Sequence, residues 1–197
     1  MRCRVGKFRA GSRTAAVIVA LALTGCTGDG DTPSPSPSPT ESSSASASPT
    51  PGTVVGKGTF ALTLPEGWTE QAEAGGALLL GISNQAVDGY PTNVNVVADT
   101  TLVPIAPEQL AAHRTAILGE GDATDVADQG TYLVDGEPGA RLSYQQRFNG
   151  IDVVSTEISV SHEDVGYIVT FSFAPSVAAT SRNALVDKMM STWTWSP

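Results

Sequence analysis

Residues 140–173 read ARLSYQQRFNGIDVVSTEISVSHEDVGYIVTFSF, and this stretch decides the fold class. It contains three segments in which every second residue is mostly apolar, a spacing that gives a β-strand one apolar face. Asn149-Gly150 and the segment 162–166 separate them and are typical of turns. The stretch therefore predicts three consecutive antiparallel strands. The predicted inward positions are Ala140, Leu142 and Tyr144, then Val154, Thr156, Ile158 and Val160, then Tyr167, Val169, Phe171 and Phe173.

The register of the first hairpin depends on the length of its loop. A two-residue loop, Asn149-Gly150, puts apolar and charged side chains on the same face of the sheet. A three-residue loop that includes Phe148 pairs Arg141 with Glu157 instead, and Gly150 then takes a left-handed bulge position. We therefore predict the three-residue loop. The inward pairs are then Ala140 with Ile158, Leu142 with Thr156, Tyr144 with Val154 and, across a second turn of even length, Val160 with Tyr167.

Further strands are predicted upstream of this meander. Alternating apolar residues indicate strands over 60–64 and 93–98, and residues 65–68 are typical of a turn. Residues 77–82 are apolar throughout, as in a central strand.

Two segments have helical signals. Pro107 and Glu108 are typical of a first helical turn, and Ser176 can cap a second helix that runs to about Met190. Runs of adjacent strands with only two helices indicate an α+β fold, an antiparallel β-sheet sandwiched with two main helices. The predicted inward helix positions are Leu110, Ile117 and Leu118 in the first helix, and Val177, Ala184, Leu185 and Met189 in the second.

The N-terminus has the composition of an export signal. Five basic residues precede an apolar run over 15–23, which is far shorter than the ~20 residues that span a bilayer. The run ends in Leu23-Thr24-Gly25-Cys26, which resembles the lipobox of bacterial lipoproteins. That resemblance implies that residues 1–25 are removed between Gly25 and Cys26, and that Cys26 carries a lipid anchor on the outer face of the cell membrane. The alternative is an ordinary secretory signal with an incidental cysteine.

The mature chain divides into a tether and one domain. After Cys26, residues 27–52 contain 18 Ser, Thr or Pro and no large apolar side chain, which predicts a disordered tether, with an O-glycosylated stalk as a further possibility. Residues 53–197 are enough for a single domain. Its six basic and 17 acidic residues give a net charge of −11, which disfavours binding to nucleic acid. With Cys26 lipidated, no disulfide can form.

One motif carries a family resemblance. Residues 60–68 read FALTLPEGW, and this strand and turn precede a long middle helix, the three-strand meander and a C-terminal helix that ends near a Trp. This order resembles the Mog1/PsbP-like superfamily and, within it, the LpqN/LpqT-type lipoproteins of actinobacteria. The resemblance implies an antiparallel sheet packed between helices in an α/β/α sandwich. It also implies non-enzymatic roles in assembly, partner binding or the binding of envelope lipids and glycolipids.

Catalytic and metal-binding motifs are absent from the sequence. His113 and His162 belong to no zinc-ligand pattern, and no nucleophile elbow occurs. His113 is predicted to be a half-buried, hydrogen-bonded residue of the first helix, and His162 a solvated turn residue. Four carboxylates, Glu120, Asp122, Asp125 and Asp128, lack calcium-loop spacing and indicate a solvated acidic loop. We predict no cofactor, no metal and no catalytic residue.

Four aromatic residues are the remaining candidates for a binding site. Trp68, Tyr90, Trp193 and Trp195 lie outside the regular core alternation, and such side chains can line a groove or anchor an interface. The alternative is that they pack at the edge of the core. The leading hypothesis is therefore an anchored, non-catalytic lipoprotein that binds a hydrophobic or glycolipid envelope ligand. The second is a protein-interaction or assembly module at the envelope, and an enzyme is third.

Overall fold

A computed structural model describes residues 52–71, 76–103 and 105–196 of the chain. The predicted signal, the lipobox with Gly25 and Cys26, and the tether up to residue 51 lie outside these residues. The secondary-structure elements, in chain order, are β1 Thr53–Gly56, β2 Phe60–Leu64, β3 Trp68–Glu70, β4 Leu79–Val87, β5 Tyr90–Ala98, α1 Pro107–Gly119, β6 Thr124–Val134, β7 Glu137–Phe148, β8 Ile151–His162, β9 Val165–Phe173, α2 Ala179–Met190 and β10 Thr194–Trp195.

The strands form two antiparallel sheets. The larger has the order β3-β4-β5-β9-β8-β7-β6, and the smaller has the order β1-β2-β10. The meander predicted from residues 140–173 is confirmed as β7, β8 and β9, and β9 is the middle strand of the seven. The α+β class is confirmed as well. Within the described part of the chain, no helix combines the length and the apolar character that a membrane span requires.

The large sheet has two chemically different faces. Its core face carries apolar residues such as Ile158, Val169 and Phe171, and it packs against β2 of the small sheet and against Val186 and Met189 of α2. We call the opposite side the α1 face, because helix α1 covers part of it. A separate apolar cluster joins that helix to the sheet and consists of Leu102, Leu110, Ala140 and Ile168. The two helices therefore lie on opposite sides of the large sheet.

The predicted register of the β7–β8 hairpin is wrong. The structure has a two-residue turn in which Phe148 pairs with Ile151, and both Asn149 (φ 48°) and Gly150 (φ 82°) adopt the left-handed conformation of a type I′ turn. The prediction assumed that Glu157 must face solvent, whereas this carboxylate is buried. The observed pairs are Arg141 with Ile158, Leu142 with Glu157, Ser143 with Thr156 and Tyr144 with Ser155.

The other strand predictions stand with one change. The strand at 60–64 and the following turn are confirmed, and the Trp68 N–H donates to the Pro65 carbonyl at 3.2 Å. The second turn of the meander has two residues and places Val160 opposite Tyr167, as predicted. The apolar run at 77–82 is not in a central strand, because β4 lies next to the edge of the sheet.

Helix α1 begins at Pro107, as predicted, and Leu110 is buried. Its other buried residue is the unpredicted Arg114, whereas Ile117 and Leu118 are only half-buried.

Helix α2 begins at Ala179. Its N-cap residue is Ala178, which has no side chain that could form a capping hydrogen bond, so the predicted Ser176 cap is wrong. Of its predicted inward residues Met189 is buried, whereas Ala184 is exposed. Val186 and Met190 share the buried side with Met189, and Ala184 lies on the other side of the helix, about 200° from Val186.

Candidate functional site

Trp193 lies in the hydrophobic core. Its side chain is 2% exposed, and its indole ring stacks on Phe60 with the ring centres 4.3 Å apart and an angle of 7° between the planes. Tyr167 contacts the same indole edge-on at 6.5 Å. The indole N–H has no hydrogen-bond partner among the described residues. This environment corresponds to the core-packing alternative, because no face of the indole is left for a ligand.

Trp195 packs against the last residues of β6 and β8. Its ring stacks on His162 at 4.1 Å, its Nε1 donates to the Val134 carbonyl at 3.2 Å, and its backbone N–H donates to Asp135 Oδ2 at 2.9 Å. The prediction that His162 is a solvated turn residue is wrong. It is the last residue of β8, its ring is covered by the indole, and its Nδ1 lies 3.5 Å from Glu137 Oε1.

Tyr90 and Trp68 lie apart from this pair. Tyr90 is buried against Val153 and Ala174, and its hydroxyl accepts a hydrogen bond from Asn93 Nδ2 at 2.9 Å. Trp68 is half-buried at the start of β3 and packs against the main core. The structure thus brings together only Trp193 and Trp195, at 5.2 Å between ring centres. A ligand-binding role for the four aromatic residues stays a prediction.

Two small clefts lie on the surface. One of about 150 Å³ is lined by Gly52, Thr63, Pro65, Glu66, Lys188, Met189 and Thr192. The other, of about 230 Å³, is lined only by polar side chains: Asp122, Thr124, Gln145, Gln146, Arg147 and Asp152. Pockets for drug-sized ligands usually enclose roughly 300–1,000 Å³. Both clefts are smaller than that range, and none of the four candidate aromatics lines either of them.

A buried ion pair on the α1 face was missed by the sequence analysis. Arg114 of α1 donates to both carboxylate oxygens of Glu157 in β8, at 2.7 and 3.1 Å. The two side chains are only 8% and 2% exposed. Ser159 donates to the same carboxylate at 3.0 Å, and Asp99 lies 4.0 Å from the guanidinium. Every charge in this group therefore has a partner.

Hydroxyl groups continue this polar layer along the sheet. The Ser155 and Ser172 hydroxyls lie 3.4 Å apart, and Gln146 Nε2 donates to Ser155 at 3.3 Å. Tyr144 is buried in the same layer and lies opposite Ser155 in the β7–β8 hairpin. Burial, followed by the charge of Glu157, raises the pKa of Tyr144 well above its ordinary value. A neutral phenol beside a buried carboxylate is consistent with a structural layer rather than with acid–base chemistry.

The guanidinium of Arg114 is held in its charged form. Burial lowers its pKa, but the hydrogen bond to Glu157 and the charge of that carboxylate outweigh this effect, so that the pKa is raised. The Glu157 carboxylate is buried and accepts three hydrogen bonds from the domain itself, so it is closed to substrate. The ion pair instead fixes α1 on the sheet. Two sequence signals point to it: Glu157 is the one charged residue in 153–161, and Arg114 lies one helical turn after Leu110.

The predicted acidic loop is divided among several elements. Glu120 is the C-cap of α1, and Asp122 lines the larger cleft. Asp125 accepts a hydrogen bond from Gln145 at 2.9 Å, and Asp128 accepts one from the backbone N–H of Gly130 at 2.7 Å. Over the described ranges, no three His, Cys, Asp or Glu side chains meet in a way that could hold a metal ion.

His113 lies on α1 and is half-buried, as predicted from its place between Leu110 and Ile117. Its Nε2 atom is buried, and the described residues offer it no hydrogen-bond partner, so the predicted hydrogen bond is not found at this atom.

Tyr144→Phe is expected to make stability less sensitive to alkaline pH. The phenol has a raised pKa in the fold and the ordinary value of 10.0 after unfolding, so its contribution is complete below pH 10 and is lost at higher pH. Above about pH 10 this group lowers the unfolding free energy by up to about 1.4 kcal/mol per pH unit. Urea unfolding between about pH 9 and 11.5 measures the two slopes. Tyr132→Phe is expected to change the slope in the same direction, because burial and Asp187 raise the pKa of Tyr132 too. Equal slopes in wild type and Tyr144→Phe would contradict the buried phenol.

Comparison with known proteins identifies related folds. No protein-family model matches the sequence, and no curated protein matches it. A solved structure from Bacteroides thetaiotaomicron is similar over 75% of this chain, with 12% identity and a TM-score of 0.52. The match covers 50% of that chain, so this chain spans about half of its length.

Two further structures match at lower scores. LpqN of Mycobacterium tuberculosis, which is described as involved in cell envelope biogenesis, is 16% identical with a TM-score of 0.47, over 74% of this chain and 90% of its own. PsbP of Synechocystis is 11% identical with a TM-score of 0.49, over 79% of this chain and 98% of its own. Two proteins named in the predicted resemblance, LpqN and PsbP, are thus among the matching structures. Such identities concern the fold alone.

Proposed function

We propose that this chain is a cell-envelope lipoprotein, anchored through Cys26 to the outer face of the membrane, whose domain binds a protein partner with its outer surface and catalyses no reaction. The anchor rests on the basic N-terminus, the short apolar run 15–23 and the LTGC ending. Fully extended, the tether 27–52 could hold the domain roughly 80 Å from the membrane. That reach suits a module that meets partners beside the membrane.

The packing of the aromatic residues carries the binding part of the proposal. Phe60 stacks on Trp193, Tyr167 packs edge-on against both rings, and the three occupy the space between the two sheets. A hydrophobic ligand would have to displace them. Val87 and Ile151 are among the apolar side chains that are exposed to solvent, so a macromolecule can contact them. We therefore favour recognition by the exterior.

A hydrophobic or glycolipid ligand is the second candidate. The observation in its favour is the cleft lined by Pro65 and Glu66, which belong to the turn whose Pro65 carbonyl accepts a hydrogen bond from the Trp68 N–H. Lipid extraction of protein purified from its native membranes, followed by mass spectrometry, tests whether such a ligand is bound. A lipid recovered in stoichiometric amount, beyond the lipid attached to Cys26, would replace the protein-binding proposal.

The anchor is tested by labelling with a palmitate analogue in the native cell. Wild-type protein is expected to carry the label and to fractionate with membranes, whereas Cys26→Ser loses the label and stays uncleaved. Cys3→Ser is the matched control, because Cys3 lies within the removed signal and its loss should leave labelling unchanged. A labelled Cys26→Ser protein would rule out the anchor.

Chemical crosslinking of native membranes tests partner binding. The full chain is expected to yield a stoichiometric adduct with one envelope protein, because tethering beside the membrane raises the effective concentration of the two proteins. Only substoichiometric adducts with many proteins would count against the proposal.

A further inference from the structure

Two hairpins of the large sheet turn at the same end of the sheet, on either side of β9. The β4–β5 hairpin turns at Asp88-Gly89 and the β7–β8 hairpin at Asn149-Gly150. Beside these turns Val87 is 40% exposed and Ile151 is 46% exposed. They are two of the four large apolar side chains that the described part of the chain exposes. The two side chains lie on β4 and β8, with β5 and β9 between them, at one end of the sheet. Exposed apolar side chains gathered at one end of a domain can mark a contact surface.

A packed cluster underlies both exposed residues. Tyr90 pairs with Val87 across its hairpin, and Phe148 pairs with Ile151 across the other. Both belong to one apolar cluster, so the hairpin ends are joined through it. We call the whole surface the tip patch, and its members are Val87, Tyr90, Phe148, Ile151, Val153, Ala174 and Val177. A surface with a buried base is preorganised, which reduces the entropy lost on binding.

The free charges around the tip patch are acidic. Arg147 donates twice to the Gly150 carbonyl, at 3.2 and 3.1 Å, and lies 3.6 Å from Asp152. Arg182 donates to the Val177 carbonyl. Both cations are thus engaged with their own domain. Asp88 and Asp122 make no ion pair with any described residue, and they add to the −11 charge of the domain.

The two edges of the large sheet are less suitable for a partner. Strand β6 is an exposed edge, but its register shifts twice, and Asp125 and Gly130 have positive φ. Such bulges bend an edge and oppose the addition of another strand. At the opposite edge β3 has only three residues. A side-chain contact at the tip patch therefore remains better supported than strand pairing.

From this arrangement we infer that the tip patch is the docking surface for a protein partner that presents apolar side chains flanked by Lys or Arg. The inference rests on the proposed function and deepens it. The exposed Val87 and Ile151 supply the apolar contact, and Asp88 and Asp122 select a basic rim. The overall negative charge steers a basic partner toward the domain and disfavours a second copy of this chain or an anionic lipid surface.

Site-specific photocrosslinking in the native cell tests the docking surface. The photoreactive residue benzoylphenylalanine replaces Ile151 in one full-length protein, Val87 in a second and Leu133 in a third. Leu133 is the matched control, because it is an exposed apolar residue near the β6–β7 turn, at the opposite end of the sheet. We expect one protein adduct from positions 151 and 87, little from 133, and a crosslinked peptide that contains Lys or Arg beside an apolar residue.

A charge arm tests the acidic rim. The double variant Asp88→Lys with Asp122→Lys should lower the yield of the protein crosslink from position 151 roughly tenfold. Asp164→Lys, in the β8–β9 turn, should leave that crosslink yield unchanged. A lipid adduct, a crosslink to a second copy, or a yield insensitive to the rim charges would overturn the docking surface. Protein adducts from position 133 alone would overturn it and leave the proposed function standing. Protein adducts from none of the three positions would overturn both.

Discussion

Arg114→Met is expected to lower the free energy of unfolding by about 3–5 kcal/mol, because it leaves the Glu157 carboxylate buried without its main partner. In the wild-type fold this carboxylate accepts two hydrogen bonds from Arg114 and one from Ser159. A single neutral donor cannot replace a bidentate guanidinium. Glu157→Leu is expected to show a loss of similar size, because the guanidinium then stays buried beside Asp99 alone. Urea unfolding at neutral pH measures both losses.

Removing both charges should cost less than removing either one. The double variant Arg114→Met with Glu157→Leu replaces the pair by apolar side chains of similar size, and such exchanges are often neutral or stabilising. The matched control is Arg147 with Asp152, which lie 3.6 Å apart and are both 70% exposed. Arg147→Ala should cost less than about 1 kcal/mol, since water solvates both partners. If Arg114→Met cost no more than Arg147→Ala, the buried pair would have no role in stability.

The same ion pair explains why part of the fold could be predicted and part could not. The alternation in residues 140–173 predicts three strands correctly, because apolar period two is a local property of the chain. Register is not local here. Glu157 points inward only because Arg114, 43 residues away in the chain, meets it under α1. A rule that places every charge in water therefore chooses the wrong loop length at Asn149-Gly150.

The surroundings of the candidate aromatic residues could not be predicted from the sequence for a related reason. Trp193 and Trp195 lie outside any long alternating segment, since β10 has only two residues. Their burial depends on pairing with β2, which places Trp195 opposite Phe60. The tip patch was equally beyond sequence reasoning, because Val87 and Ile151 come from hairpins far apart in the chain. Amphipathic residues could be identified as candidates, but their environment is set by tertiary contacts.

Trp193→Ala is expected to cost about 3–5 kcal/mol of unfolding free energy, because it opens a cavity between the two sheets and removes the stacking partner of Phe60. Circular dichroism during urea unfolding measures the loss without relying on tryptophan fluorescence. Trp195→Ala is the matched control. It removes a half-buried ring and the contact with His162, so its cost should be clearly smaller.

Trp193→Phe separates packing from hydrogen bonding at the same position. The benzene ring retains the stack on Phe60, and the substitution removes an indole N–H that has no partner among the described residues. A buried unpaired donor costs about 1–3 kcal/mol, so its loss should offset much of the lost ring volume. Trp193→Phe should therefore be nearer to wild type than to Trp193→Ala. If Trp193→Ala instead kept wild-type stability and lost a bound lipid, the ring would line a ligand site, and the hypothesis of a hydrophobic or glycolipid ligand would be favoured over protein binding.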